Sequence, residues 1–146
     1  MTDSRIRIDF YVLPATDVGA RLYFTCRLTE KVYGMQHRIH AHMGSSGQAR
    51  ELDELLWTFR PGSFLPHSLS MSATDALAPI TIGYDEPADV SGDLLINLAD
   101  AIPPFFDRFN RVAEIIDGTQ ESRLLGRERF GFYRDNGYEP NTHKIS

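Results

Sequence analysis

Leu94-Leu95-Ile96-Asn97-Leu98 is an apolar run broken only by one amide, the pattern of a strand buried on both faces. Such strands belong to parallel sheets covered by helices on either side, so the rest of the chain should alternate between the two periods. Downstream, Pro103-Pro104 opens a short helix or turn, residues 108–116 read as another strand, and a helix closes the chain. Upstream, residues 84–92 form an acidic loop and 80–83 a brief strand. At the start, Ile6, Ile8, Phe10 and Val12 alternate with polar partners as in a half-buried strand that ends at Pro14 and Asp17. Residues 18–34 read as a helix, 37–42 as a short strand and 48–58 as a helix ended by Pro61-Gly62. Phe64 and Leu65, ahead of Pro66, suggest an edge strand or extended segment, and residues 68–79 a loop. Strands separated by helices imply an α/β fold: three layers, with a mostly parallel sheet flanked by helices. Residues 1–138 are expected to form a single domain and 139–146 a loose tail.

Composition narrows the function. A length of 146 residues suits one domain, and 42% hydrophobic with 24% charged residues is ordinary for a globular chain. A net charge of −5 disfavours broad contact with a phosphate backbone, so any anion site must be a local patch. The single cysteine, Cys26, lies in a helical pattern and reads as packing. Met1-Thr2-Asp3-Ser4-Arg5 precedes no apolar signal core and no run approaches membrane-spanning length, so a cytoplasmic protein is expected.

Two segments stand out. In the closing helix, at about 100° per residue, Arg123, Arg127, Phe130 and Arg134 fall on one stripe, while Leu125 and Phe132 fall on the side where a core would want them. Three guanidiniums around an aromatic ring, on an acidic protein, suit a ligand both anionic and apolar. An acidic peptide tail ending in an aromatic residue fits better than a nucleic acid. In the 48–58 helix, Leu52, Leu55, Leu56 and Phe59 share the core face and Trp57 lies off it. Trp57, with Phe64 and Pro66 close behind, reads either as a protein-binding anchor or as a cover for a loop of its own domain.

Catalytic patterns are weaker. Gly44-Ser45-Ser46-Gly47 sits between strand and helix, where phosphates are cradled, but lacks the following Lys-Ser/Thr and the dinucleotide glycine spacing. A small nucleotide-binding protein or enzyme using this loop is the main alternative, and a direct DNA-binding module is the third. His40 and His42 point to one side of a strand without an evident third metal ligand. Ser70 and Ser72 lack a nucleophile elbow, and Asp9, Asp93 and Asp117 near strand ends read as capping or solvated acids.

Leu52-Asp53-Glu54-Leu55-Leu56-Trp57, Ser63-Phe64-Leu65-Pro66-His67, Leu94-Leu95-Ile96-Asn97-Leu98 and Arg127-Glu128-Arg129-Phe130 together resemble the chi subunit of bacterial DNA polymerase III. The likeness runs from Ile8-Asp9-Phe10-Tyr11 to Asn141-Thr142. It implies a Rossmann-like fold without a nucleotide-binding fingerprint, no cofactor or metal, and a non-catalytic accessory role in DNA replication at the replisome. It also implies two partners: the psi subunit, which ties such chains to the clamp loader, and the acidic C-terminal tail of single-stranded DNA-binding protein. DNA would be met only indirectly. Carried over to this chain, Arg127 matches the arginine that holds the tail, and Phe130 stands where tyrosine is frequent. Arg123 and Ile116 match a basic and an aliphatic position of the same pocket, and Gly131 replaces a position that can be lysine. Trp57, Phe64, Leu65, Pro66 and His67 match the psi surface, which a repair helicase is expected to use as an alternative and mutually exclusive partner.

Overall fold

The strand around Leu94 lies at the centre of the molecule. In the computed structural model, which describes residues 6–17, 19–69, 78–84 and 91–145, β5 (Gly92–Asn97) buries Leu94, Leu95 and Ile96 almost completely. It pairs with β2 (Ile39–His42) on one side and β6 (Phe109–Ile116) on the other. β4 (Ile80–Gly83) and β3 (His67–Leu69) continue past β2, and β1 (Arg7–Val12) and β7 (Asn141–Lys144) continue past β6. The seven strands run in the order β3-β4-β2-β5-β6-β1-β7, with every pairing parallel.

Period-two alternation divides the core between the two faces. Leu94, Ile96, Ala41, Ile82 and Ile115 meet α1 (Ala20–Tyr33) and α2 (Ser46–Thr58) through Cys26, Leu28, Val32, Leu52 and Leu56. Leu95, Ile8, Phe10, Val112 and Ile116 face α3 (Gln120–Asp135) and the short 3-10 turn Phe106–Arg108, with Phe105, Phe109 and Tyr133. The result is the three-layer, Rossmann-like α/β arrangement that the buried run implied. Each later helix opens on a hydroxyl cap, Ser45 Oγ accepting from Gln48 N at 3.2 Å and Thr119 Oγ1 from Ser122 N at 3.2 Å.

Three expectations are corrected. The edge strand β3 takes in residues 68–69 of the expected loop, while Phe64 and Leu65 ahead of Pro66, which has no N–H to give a ladder, lie outside it, with Leu65 buried in the core. The tail from residue 139, expected to be loose, forms β7 along the outer edge of β1. Its hold is local chemistry: His143 Nε2 lies 2.9 Å from Asp9 Oδ1 and its ring stacks on Tyr11 at 4.9 Å. Finally, α3 buries Gly126, Arg129 and Tyr133, leaving Leu125 half-buried and Phe132 44% exposed. Gly126 lets the helix approach so closely that a Cβ there would meet Ile116 Cδ1 at 2.7 Å. Arg129 can turn inward because a buried carboxylate awaits it. Ser70 and Ser72, and most of the expected acidic loop, lie outside the described residues.

Candidate functional site

A cavity of about 400 Å³ opens at the carboxyl ends of β1, β6 and β7, under the flank of α3. Phe10 and Val12 of β1 and Ile116 of β6 form its floor, and Arg123, Arg127 and Phe130 of α3 overhang it. Phe130 is half-buried and packs on Phe10 with ring centroids 5.3 Å apart, so an aromatic surface continues from floor to overhang. Arg123 and Arg127 are exposed, and neither is engaged by a carboxylate among the described residues. The fold thus unites Arg127, Arg123, Phe130 and Ile116 in one place. Arg134 is also exposed on α3 but does not line the cavity. Phe10 and Val12 were visible only as the inner face of the first strand; Lys144, on the opposite wall, carried no signal.

The overhang is held by a buried polar network. Arg129 Nε donates to Glu114 Oε1 at 2.8 Å and its Nη1 to the Asp100 carbonyl at 2.9 Å. The Tyr133 hydroxyl donates to Glu114 Oε2 at 2.7 Å, and Asn97 Nδ2 lies 3.1 Å from both carboxylate oxygens. Burial first, then Glu114, pushes the Tyr133 phenol far above its ordinary range, so it remains a donor. With both oxygens hydrogen-bonded and a guanidinium beside them, the charge is tolerated in the interior and fixes the rotation of α3. That rotation sets Arg127 and Phe130 over the cavity.

A second exposed feature sits towards the opposite edge of the sheet. α2 packs over β3 and β4, and from it Trp57 is 50% exposed beside Phe64, which is 69% exposed, with centroids 5.9 Å apart. The Trp57 ring rests 4.4 Å from that of His67, whose side chain is fully buried. His67 is fixed by the Leu65 carbonyl and by Asp53, through its carbonyl at 3.1 Å and carboxylate at 3.2 Å. Pro66 is half-buried. Of the segment 64–67, Phe64 thus projects while Leu65 and His67 support from beneath. β3 and β7 are the two ends of a seven-strand sheet, so at about 4.8 Å per strand the edges lie roughly 29 Å apart, with one feature towards each.

The Gly44–Gly47 turn offers little to a phosphate. Gly44 N donates to Gln48 Oε1 at 3.1 Å, and Ser45 caps the helix behind it. The crevice at the carboxyl ends of β5 and β6, where open parallel sheets bind ligands, is crossed by protein guanidiniums. Arg21 donates to the Ile115 and Leu98 carbonyls at 3.1 and 2.7 Å, and Arg129 reaches Asp100 nearby. His40 is buried against Phe105 and Phe109 with Nδ1 2.6 Å from Thr81 Oγ1. Burial, then the neighbouring His42, pushes its imidazole down to about 3. Cys26 is buried and its thiol pushed up to about 12, which leaves it a packing residue. Asp9 is buried among Arg7, Arg111 and His143, Asp93 accepts from Arg38 N, and Asp117 accepts from Thr119. Among the described residues no three potential ligands group as a metal site needs, and no helix is long and apolar enough to cross a membrane.

Comparison with known proteins places the chain in a family. The family model described as DNA polymerase III chi subunit, HolC, matches residues 6–141. The DNA polymerase III subunit chi of Pseudomonas aeruginosa is 42% identical over 139 residues, 95% of this chain and 96% of that one. Its namesake in Haemophilus influenzae is 29% identical over 93% of this chain and 95% of its own length. The subunit chi of Escherichia coli is 29% identical over 80% of each. The chain belongs to the DNA polymerase III chi subunit family, and is an accessory subunit in DNA replication rather than a catalytic enzyme.

Proposed function

We propose that this chain is a replisome adaptor with one docking site towards each edge of its sheet. The cavity under α3 takes the acidic C-terminal tail of single-stranded DNA-binding protein, and the Trp57–Phe64 surface takes the psi subunit of the clamp loader. A repair helicase would compete for the second surface. The observation that carries this reading is the cavity itself: two guanidiniums that meet no carboxylate among the described residues, over an aromatic and aliphatic floor, on a chain of net charge −5. Its volume, near the lower end of the roughly 300–1,000 Å³ usual for ligand pockets, suits one aromatic side chain and its surroundings. Arg127 suits a terminal carboxylate because its planar fork pairs bidentately and keeps its charge. The ring of a terminal phenylalanine would lie against Phe130, Ile116 and the arginine stems, with Arg123 on the rim near the aspartates.

Titration with the peptide Asp-Asp-Asp-Ile-Pro-Phe, carrying a free carboxylate, tests the cavity. The expected dissociation constant is on the order of micromolar, about −8 kcal/mol. Arg127→Ala should weaken binding by roughly 1.5–3 kcal/mol through loss of a charge-assisted hydrogen bond. Arg123→Ala should cost less, being screened by water. Removing the terminal Phe should abolish binding, since it carries both ring and carboxylate. Should Arg127→Ala bind as the unaltered chain does, the α3 stripe is only a solvated face.

A further inference from the structure

β7 supplies the wall of the cavity opposite α3, and its register aims a cation into it. Val12 pairs with Lys144 on one side and with Ile116 on the other, so the three residues share one row on the α3 face of the sheet. Lys144 lines the same cavity as Ile116 and Arg127. With strands about 4.8 Å apart, Lys144 leaves the sheet roughly 10 Å from Ile116, across the cavity from the arginines. β7 is pinned on the reverse face by His143 on Asp9 and Tyr11, and at its end by Ile145 N donating to the Val12 carbonyl at 2.9 Å. Its backbone is therefore fixed while the Lys144 side chain is exposed and meets no carboxylate among the described residues.

We propose that Lys144 is a further binding residue of this site, pairing with an acidic side chain upstream of the ligand's terminal aromatic residue. The proposal rests on the reading of the cavity as an acidic-peptide site. An extended peptide advances about 3.3 Å per residue, so a ligand whose last residue lies against Ile116 and Phe130 reaches Lys144 roughly three residues earlier. The α3 arginines and Lys144 then read different parts of one ligand: the arginines its end, the lysine its acidic approach. A flexible ammonium suits that second task because it meets a single carboxylate without demanding a bidentate orientation.

Fluorescence anisotropy with two labelled peptides, Asp-Asp-Asp-Ile-Pro-Phe and Asn-Asn-Asn-Ile-Pro-Phe, tests it. Lys144→Ala should raise the dissociation constant of the acidic peptide by about 2- to 5-fold at low salt, the range of a solvent-exposed ion pair. The same variant should leave the neutral peptide unaffected, because the cycle isolates the pairing. Lys144→Arg should retain affinity, and Lys31→Ala, on α1, should leave both peptides unchanged. If Lys144→Ala weakens the two peptides equally, if Lys31→Ala has the same effect, or if Lys144→Ala does nothing while Arg127→Ala destroys binding, the assignment is overturned. If the unaltered chain does not bind the acidic peptide at all, the reading of the cavity falls with it.

Discussion

Arg127 and Arg129 stand two positions apart on α3 and should respond oppositely to the same substitution. Arg129 is 6% exposed, with Nε on a Glu114 carboxylate that has no exposure at all. Arg129→Ala leaves that carboxylate with the Asn97 amide and Tyr133 hydroxyl but without its paired guanidinium. Breaking one side of a buried pair costs about 3–5 kcal/mol. Against a total of about 5–15 kcal/mol for an ordinary domain, the variant folds with little margin. At roughly 3 °C per kcal/mol for a chain of this size, the melting temperature should fall by about 10 °C or more. Arg127 is exposed and meets no carboxylate among the described residues, so Arg127→Ala should move stability by less than about 0.5 kcal/mol while removing most peptide affinity. Urea denaturation at neutral pH followed by circular dichroism measures both, provided the slopes match. Adding Glu114→Gln to Arg129→Ala should recover more than about 1 kcal/mol, because it removes the orphaned charge. A loss below about 1 kcal/mol for Arg129→Ala, or equal losses for both arginines, would refute the division of labour on this helix.

Trp57→Ala and Phe64→Ala should each leave a folded domain, since both side chains are half or more exposed, yet end co-purification with psi; unfolding of the Trp57 variant would return that ring to the core. His40 links stability to acid. Its folded-state value of about 3 lies below the ordinary 6.5, so between the two the unfolded chain binds a proton that the folded one refuses, and stability falls as pH drops through that window. The slope is at most about 1.4 kcal/mol per pH unit, and His40→Gln should flatten urea midpoints measured from pH 6.5 to 4; an unchanged profile would show that His40 does not carry the effect. Gly131 lies within α3 with nothing inside 4 Å of a Cβ built on it, so Gly131→Ala should stabilise by about 0.5–1 kcal/mol, and a lower melting temperature would count against an open face there.

What the chain spells out by itself is whatever depends on neighbours in sequence. Alternation marked Ile8, Phe10 and Val12, the unbroken run marked the central strand, and 3.6-residue spacing placed Leu52 and Leu56 inward with Trp57 off the core. Arg123, Arg127 and Phe130 fell on one helical stripe for the same reason, and they do overhang one cavity. The inward face of α3 was not legible, because hydrophobicity favours Leu125 and Phe132, whereas packing chose Gly126, Arg129 and Tyr133. That choice depends on Glu114, which belongs to another strand and is paid for only when Arg129, Tyr133 and Asn97 arrive together. β7 was equally hidden: Asn141-Thr142-His143-Lys144 has no apolar alternation, and it pairs because β1 has an open edge and a buried Asp9 that accepts His143. The Lys144 wall follows from that pairing alone. Local periodicity is written residue by residue, but partners more than a hundred positions apart, such as Asp9 with Arg111 and His143, exist only once the sheet has brought their strands side by side.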